Sequence, residues 1–131
     1  MEILDKYKEE LDQDTNINML NLRDSQLRLP NIKHKWAARL INHKVELDKT
    51  ESLIVKAKEA IIEKQMNNAQ VKLSRPSLEK SAEEHDTVIR LKARVKEEEF
   101  IIMYLEKVEK ILSSITYDIR NLTDILKLEQ L

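Results

Sequence analysis

The chain has 131 residues, 41% hydrophobic and 36% charged, with a net charge of −1, two prolines, and no glycine or cysteine at all. Without glycine there is no glycine-rich phosphate loop and no dinucleotide fingerprint, since both need glycine at fixed positions for close backbone approach. Without cysteine there is no disulfide or thiolate chemistry, and long helices with few corners remain as the expected all-α architecture.

Residues 2–13 set Ile3, Leu4, Tyr7 and Leu11 at helical spacing, predicting a short amphipathic helix. Asp14-Thr15-Asn16 ends it, and Asn18 is placed to cap the next helix. Pro30 either kinks that helix as it continues or sits in the first turn of a new one. Over residues 31–68 a long helix is expected. Leu40, Leu47, Ile54 and Ile61 recur every seven residues, and Trp36, His43, Thr50 and Ala57 fill the other seam position. Asn67-Asn68 suits a left-handed C-cap where no glycine is present.

Residues 69–77 read as a linker, with Ser74 or Ser77 placed to cap a final helix near Pro76. In that helix Ile101, Leu105, Val108, Leu112, Ile115, Ile119, Leu122 and Leu126 alternate steps of four and three, and Tyr104, Ile111 and Ile125 widen the stripe. So wide a stripe suits more than one neighbouring helix. The expectation is a single helical domain over 1–131. It has N-terminal helices with a basic face (1–68), the linker (69–77) and a C-terminal oligomerisation helix (78–131). Copies then pair through the eight stripe residues into a helical bundle or barrel-like ring.

Charge is unevenly spread. Residues 1–22 sum to −4, residues 23–75 to +6 and residues 76–131 to −3. Lys35, Lys49 and Lys56 share one heptad position, with Arg39 one turn after Lys35, and Lys33, Lys44 and Lys58 broaden the ridge. Flexible cations along a rod suit phosphate neutralisation without base reading. Trp36 is the one aromatic nearby, so binding of this kind is mostly electrostatic.

Other chemistry finds little support. His34, His43 and His85 form no metal-ligand spacing, His43 falls on a seam where polar residues set register, and His85 reads as a solvated surface residue. Glu97-Glu98-Glu99 reads as a solvated face. No nucleophile has an identifiable base, so neither an enzyme nor a cofactor is expected. The longest apolar run, Phe100 to Leu105, is far too short to span a membrane. The opening Met1-Glu2-Ile3-Leu4-Asp5 lacks the basic region of a signal peptide. A soluble cytoplasmic protein is expected, in the host cytoplasm if the chain is viral.

One stretch, Ser25-Gln26-Leu27-Arg28-Leu29-Pro30-Asn31-Ile32-Lys33-His34-Lys35-Trp36, resembles the Ser-x-x-x-(Ile/Leu)-Pro-x-(Leu/Ile)-x-x-Lys-(Tyr/Trp) segment of the UvsY family of phage recombination mediators. Ile3-Leu4, Glu9-Glu10-Leu11 and Asp14 are similar to that family's start. Val55-Lys56-Ala57-Lys58 stands where the family has Leu-Lys-Ala-Arg, and Leu78-Glu79-Lys80-Ser81 resembles its Glu-Lys-Ser stretch. The resemblance implies a small all-helical protein assembling into rings of about six or seven subunits. It also implies binding of single-stranded DNA, and help for a RecA-like phage recombinase in displacing single-strand-binding protein. Lys56 and Lys58 would inherit a DNA-contacting role. Glu59-Ala60-Ile61-Ile62-Glu63 replaces the tyrosines and glycine that follow in the family, shifting weight from base stacking to lysine–phosphate contacts. A helical adaptor acting only through protein–protein contacts is the alternative.

Overall fold

The computed structural model describes residues 1–68 and 73–130. Among these described residues four helices appear in order: α1 (Glu2–Asp14), α2 (Leu22–Asn68), α3 (Arg75–Glu83) and α4 (Asp86–Glu129). The expected all-α fold holds, with no strand among the described residues.

The turn after α1 is closed by short polar side chains that compete for backbone donors. Thr15 Oγ1 donates to the Leu11 carbonyl at 2.8 Å. Asn18 and Asn21 then close the turn reciprocally: the Asn21 N–H donates to Asn18 Oδ1 at 3.1 Å, and the Asn18 N–H donates to Asn21 Oδ1 at 2.8 Å. Because α2 begins at Leu22, Asn18 bonds within the turn before the helix and does not accept from an N–H of α2 as the expected cap would. Pro30 lies inside α2, which runs on through it. Its ring is exposed, and the exposed residue Gln26, whose carbonyl loses a helical donor there, has access to water.

Among the described residues none has positive φ, so the left-handed cap foreseen at Asn67-Asn68 does not occur there; α2 simply ends at Asn68. Of the linker, residues 69–72 lie outside the described residues. Ser74 caps α3, accepting from the Ser77 N–H, with Pro76 in the first turn. The segment 78–131 is not one helix: it is interrupted at Glu84-His85. His85 provides the restart, because its Nδ1 accepts the Thr87 N–H at 3.2 Å and its carbonyl accepts the Ile89 N–H at 3.0 Å. The exposed histidine is therefore a helix cap.

The helices form two compact units, Met1–Asn42 with Ile101–Leu131, and His43–Phe100. Each is a short helix packed on two segments of the long ones. In the first, Leu22, Leu29, Ile32, Trp36 and Leu40 of α2 are buried, as are Ile101, Leu105, Val108, Leu112, Ile115 and Ile119 of α4, together with Leu11 of α1. The α2 and α4 segments are antiparallel here, since Lys33 reaches Thr116 while Gln26 lies beside Arg120 and Lys127. In the second unit Ile62 packs with Leu78 and Ala82, with Ile61 alongside, and Val88 and Thr50 are fully covered. All eight seam residues of α2 are buried or half-buried. The two polar members are satisfied within the second unit. Thr50 Oγ1 donates to the Glu46 carbonyl at 2.8 Å, and His43 Nδ1 lies 2.6 Å from Glu98 Oε2.

Candidate nucleic-acid interface

The basic residues of α2 divide into those held by carboxylates and hydroxyls of the chain itself and those left to solvent. In the first unit α1 lies over them. Lys35 Nζ donates to Asp14 Oδ2 at 2.6 Å and to Glu10 Oε1 at 3.2 Å. The Arg39 guanidinium forks onto both oxygens of Glu10. It also stacks 4.8 Å from the Trp36 ring centre and 4.9 Å from that of Tyr7. The hydrogen bond from Arg39 holds the Glu10 carboxyl below its ordinary range; burial opposes this, and the bond from Lys35 reinforces it. Lys33 donates to Thr116 Oγ1 at 2.6 Å. Lys33, Lys35 and Arg39 are thus half-buried structural cations. Trp36 is fully buried, its Nε1–H donating to Asp14 Oδ2 at 2.9 Å and its ring meeting Tyr7 edge-on. No base can stack on it in this state.

The second unit keeps its lysines more available. Lys44 and Lys56 are exposed with no hydrogen bond or ion pair among the described residues. Lys49 is exposed and makes only a 3.7 Å contact with Glu46 one turn before it, a pairing that contributes little in water. Lys49 and Lys56 border a shallow open depression along α2, floored by Val45 and Leu53. Lys58 behaves differently. Two residues on a helix turn through about 200°, so Lys56 and Lys58 project from opposite faces, and Lys58 Nζ donates to Glu83 Oε1 of α3 at 3.1 Å.

The same carboxylate oxygen lies 3.9 Å from Lys92 Nζ of α4. The Lys58 hydrogen bond, with the Lys92 charge behind it, holds Glu83 below the usual carboxylate range. Sequence reasoning passed over Lys92 because residues 76–131 are acidic in sum. The signal was present nonetheless: residues 87–96 hold Arg90, Lys92, Arg94 and Lys96 and no carboxylate. Among the described residues no group of three metal-ligating side chains comes together. Among the described residues no helix is long and apolar enough to cross a membrane.

Of the eight stripe residues assigned to oligomerisation, Ile101, Leu105, Val108, Leu112, Ile115 and Ile119 are buried by the chain's own packing, and Leu122 and Leu126 are half-buried. Apolar surface is left open on α4 beside this stripe, where Ile111 and Ile125 are 42% and 46% exposed, and Leu128 nearer the end of the helix is 69% exposed. Lys107, Ile111, Ser114, Asp118, Asn121, Ile125 and Leu128 follow alternating steps of four and three, a second and weaker seam.

No model of a known protein family matches the sequence, and no curated protein matches it. The structure does find a counterpart. The crystal structure of UvsY, the recombination mediator protein of bacteriophage T4, superposes with a TM-score of 0.78 over 96% of this chain and 98% of that one, at 16% sequence identity. The chain has the fold of UvsY over nearly its whole length.

Proposed function

We propose that the chain is a recombination mediator: a non-enzymatic helical protein, without a cofactor, that binds single-stranded DNA through lysine–phosphate contacts. As a homo-oligomer of about six or seven subunits in the cytoplasm, it would help a RecA-like phage recombinase load onto DNA covered by single-strand-binding protein. The observation that carries this reading is the end-to-end match to the T4 mediator fold, on which Lys44, Lys49 and Lys56 stand exposed without strong internal partners. Each is a modest site, and repetition in every subunit of an assembly multiplies it.

The test is titration of a fluorescent oligodeoxythymidylate at several salt concentrations. Log affinity should fall against log salt with a slope of about −0.7 for each phosphate neutralised. Lys44→Gln with Lys56→Gln should flatten that slope and leave the native mass unchanged. Absence of binding at low salt would end the proposal.

The helical-adaptor reading draws on a specific observation too: Lys33, Lys35 and Arg39 are spent on Thr116, Glu10 and Asp14. It expects the lysine substitutions to change no partner binding.

A further inference from the structure

We infer that the second unit carries a further phosphate-binding track, built by Lys58 of α2 with Lys92 and Lys96 of α4, and that Glu83 of α3 occupies it as a built-in stand-in for a phosphate. This rests on the proposed binding of single-stranded DNA and names where a second contact to the strand is made.

The geometry begins with one oxygen. Glu83 Oε1 is 3.1 Å from Lys58 Nζ and 3.9 Å from Lys92 Nζ, so ammonium groups from two separate helices converge on a single anionic acceptor. A phosphodiester oxygen asks for the same arrangement. Lys96 follows Lys92 by one helical turn on the same flank of α4, a rise of about 6 Å, which suits neighbouring phosphates of a flexible strand. Arg90 and Arg94 lie on the other side of the exposed ridge formed by Ile89 and Ala93. Arg90, Arg94 and Lys96 have no ion pair or hydrogen bond among the described residues. Over residues 87–96 the helix presents four cations and no carboxylate.

Glu83 is poorly placed to keep the track closed. Its side chain is 54% exposed, that of Lys92 is 47% exposed and that of Lys58 is 28% exposed. Ion pairs this open to water are weak and screened. A polyanion that brings several charges at once displaces one carboxylate and releases condensed counterions as it does so. Glu83 therefore sets a threshold: isolated anions meet a neutralised site, and a strand long enough to engage Lys92 and Lys96 together displaces the carboxylate.

The experiment uses the full chain and the same labelled oligodeoxythymidylate. Lys92→Gln with Lys96→Gln should weaken binding roughly tenfold and reduce the salt slope by about 1.4, the loss of two phosphate contacts. Glu83→Gln should strengthen binding several-fold at moderate salt. Lys110→Gln with Lys127→Gln, which removes two exposed cations elsewhere on α4, is the control and should match the parent. Circular dichroism and native mass should be those of the parent for all three. If the parent binds and the Lys92 and Lys96 double variant binds with unchanged affinity and slope, the track is refuted while the proposed function stands. If the parent itself fails to bind, both fall together. If Glu83→Gln leaves affinity where it was, the stand-in role of Glu83 is overturned.

Discussion

Asp14 and Trp36 are joined by a 2.9 Å hydrogen bond from the indole Nε1–H to Oδ2, and the same oxygen accepts from Lys35 at 2.6 Å. One side chain at the end of α1 thereby satisfies a fully buried indole and a half-buried ammonium group of α2. Its removal orphans the indole and leaves Lys35 with Glu10 alone. Asp14→Ala should destabilise the fold by about 2–3 kcal/mol, with Asp14→Asn in between, because a buried donor without a partner costs far more than a typical hydrogen bond contributes. The urea midpoint measures this; parent-like stability in the alanine variant would contradict the clamp.

Trp36 is the sole tryptophan, and it is sealed beneath Tyr7 and Arg39. Binding of single-stranded DNA should therefore leave its emission wavelength and intensity unchanged, although affinity is evident by anisotropy of the labelled strand. Strong quenching on binding would mean that α1 lifts away and a base reaches the indole.

Acid should loosen the same clamp. The charged form of Glu10 is held by Arg39 and then Lys35, so its carboxyl binds a proton less readily in the folded than in the unfolded chain. A lowered native pKa gives stabilisation that is complete above the ordinary value of 4.5 and is lost as pH falls below it through the native value. Glu10→Gln should be less stable than the parent at neutral pH, and the two should converge in acid. A gap between them that persists to pH 2.5 would rule out this linkage.

Thr50 is 2% exposed on the α2 seam, and its hydroxyl bonds back to Glu46 of its own helix. Removing that hydroxyl strands no partner, because the Glu46 carbonyl keeps its helical bond. Thr50→Val should be neutral or stabilise by up to about 1 kcal/mol by thermal melting. A loss above about 2 kcal/mol would show that the hydroxyl serves another group.

Core and association surfaces of α4 should separate cleanly by mutation. Leu105 is 1% exposed within the chain, and Leu105→Ala should cost about 2–5 kcal/mol of folding stability. Ile111 and Ile125 are open to solvent. Ile111→Asp with Ile125→Asp should leave helicity intact and lower the native mass of the assembly. If that double variant keeps the parent's mass, copies do not meet on this face.

Much of this architecture was legible in sequence order because it depends on neighbours a few residues apart. The spacing of Ile3, Leu4, Tyr7 and Leu11, the heptads from Trp36 to Ile61 and the cap at Ser74 are local properties, and the helices follow them. The break at His85 was missed because a histidine ring nitrogen accepting a backbone N–H is a rarer cap than serine or asparagine.

What the sequence alone determined was that the chain is helical and which face of the long helices is apolar, since periodicity is carried by the covalent order of the chain. Tertiary structure alone decided what each face meets. The α4 stripe is covered mainly within its own chain. Lys35 and Arg39 are neutralised by carboxylates over 20 residues away, whereas Lys44 and Lys56 stay bare. Lys58 and Lys92 meet at one oxygen of Glu83. Coulomb and hydrogen-bond energies depend on distance in space, and that distance exists only once the helices have packed.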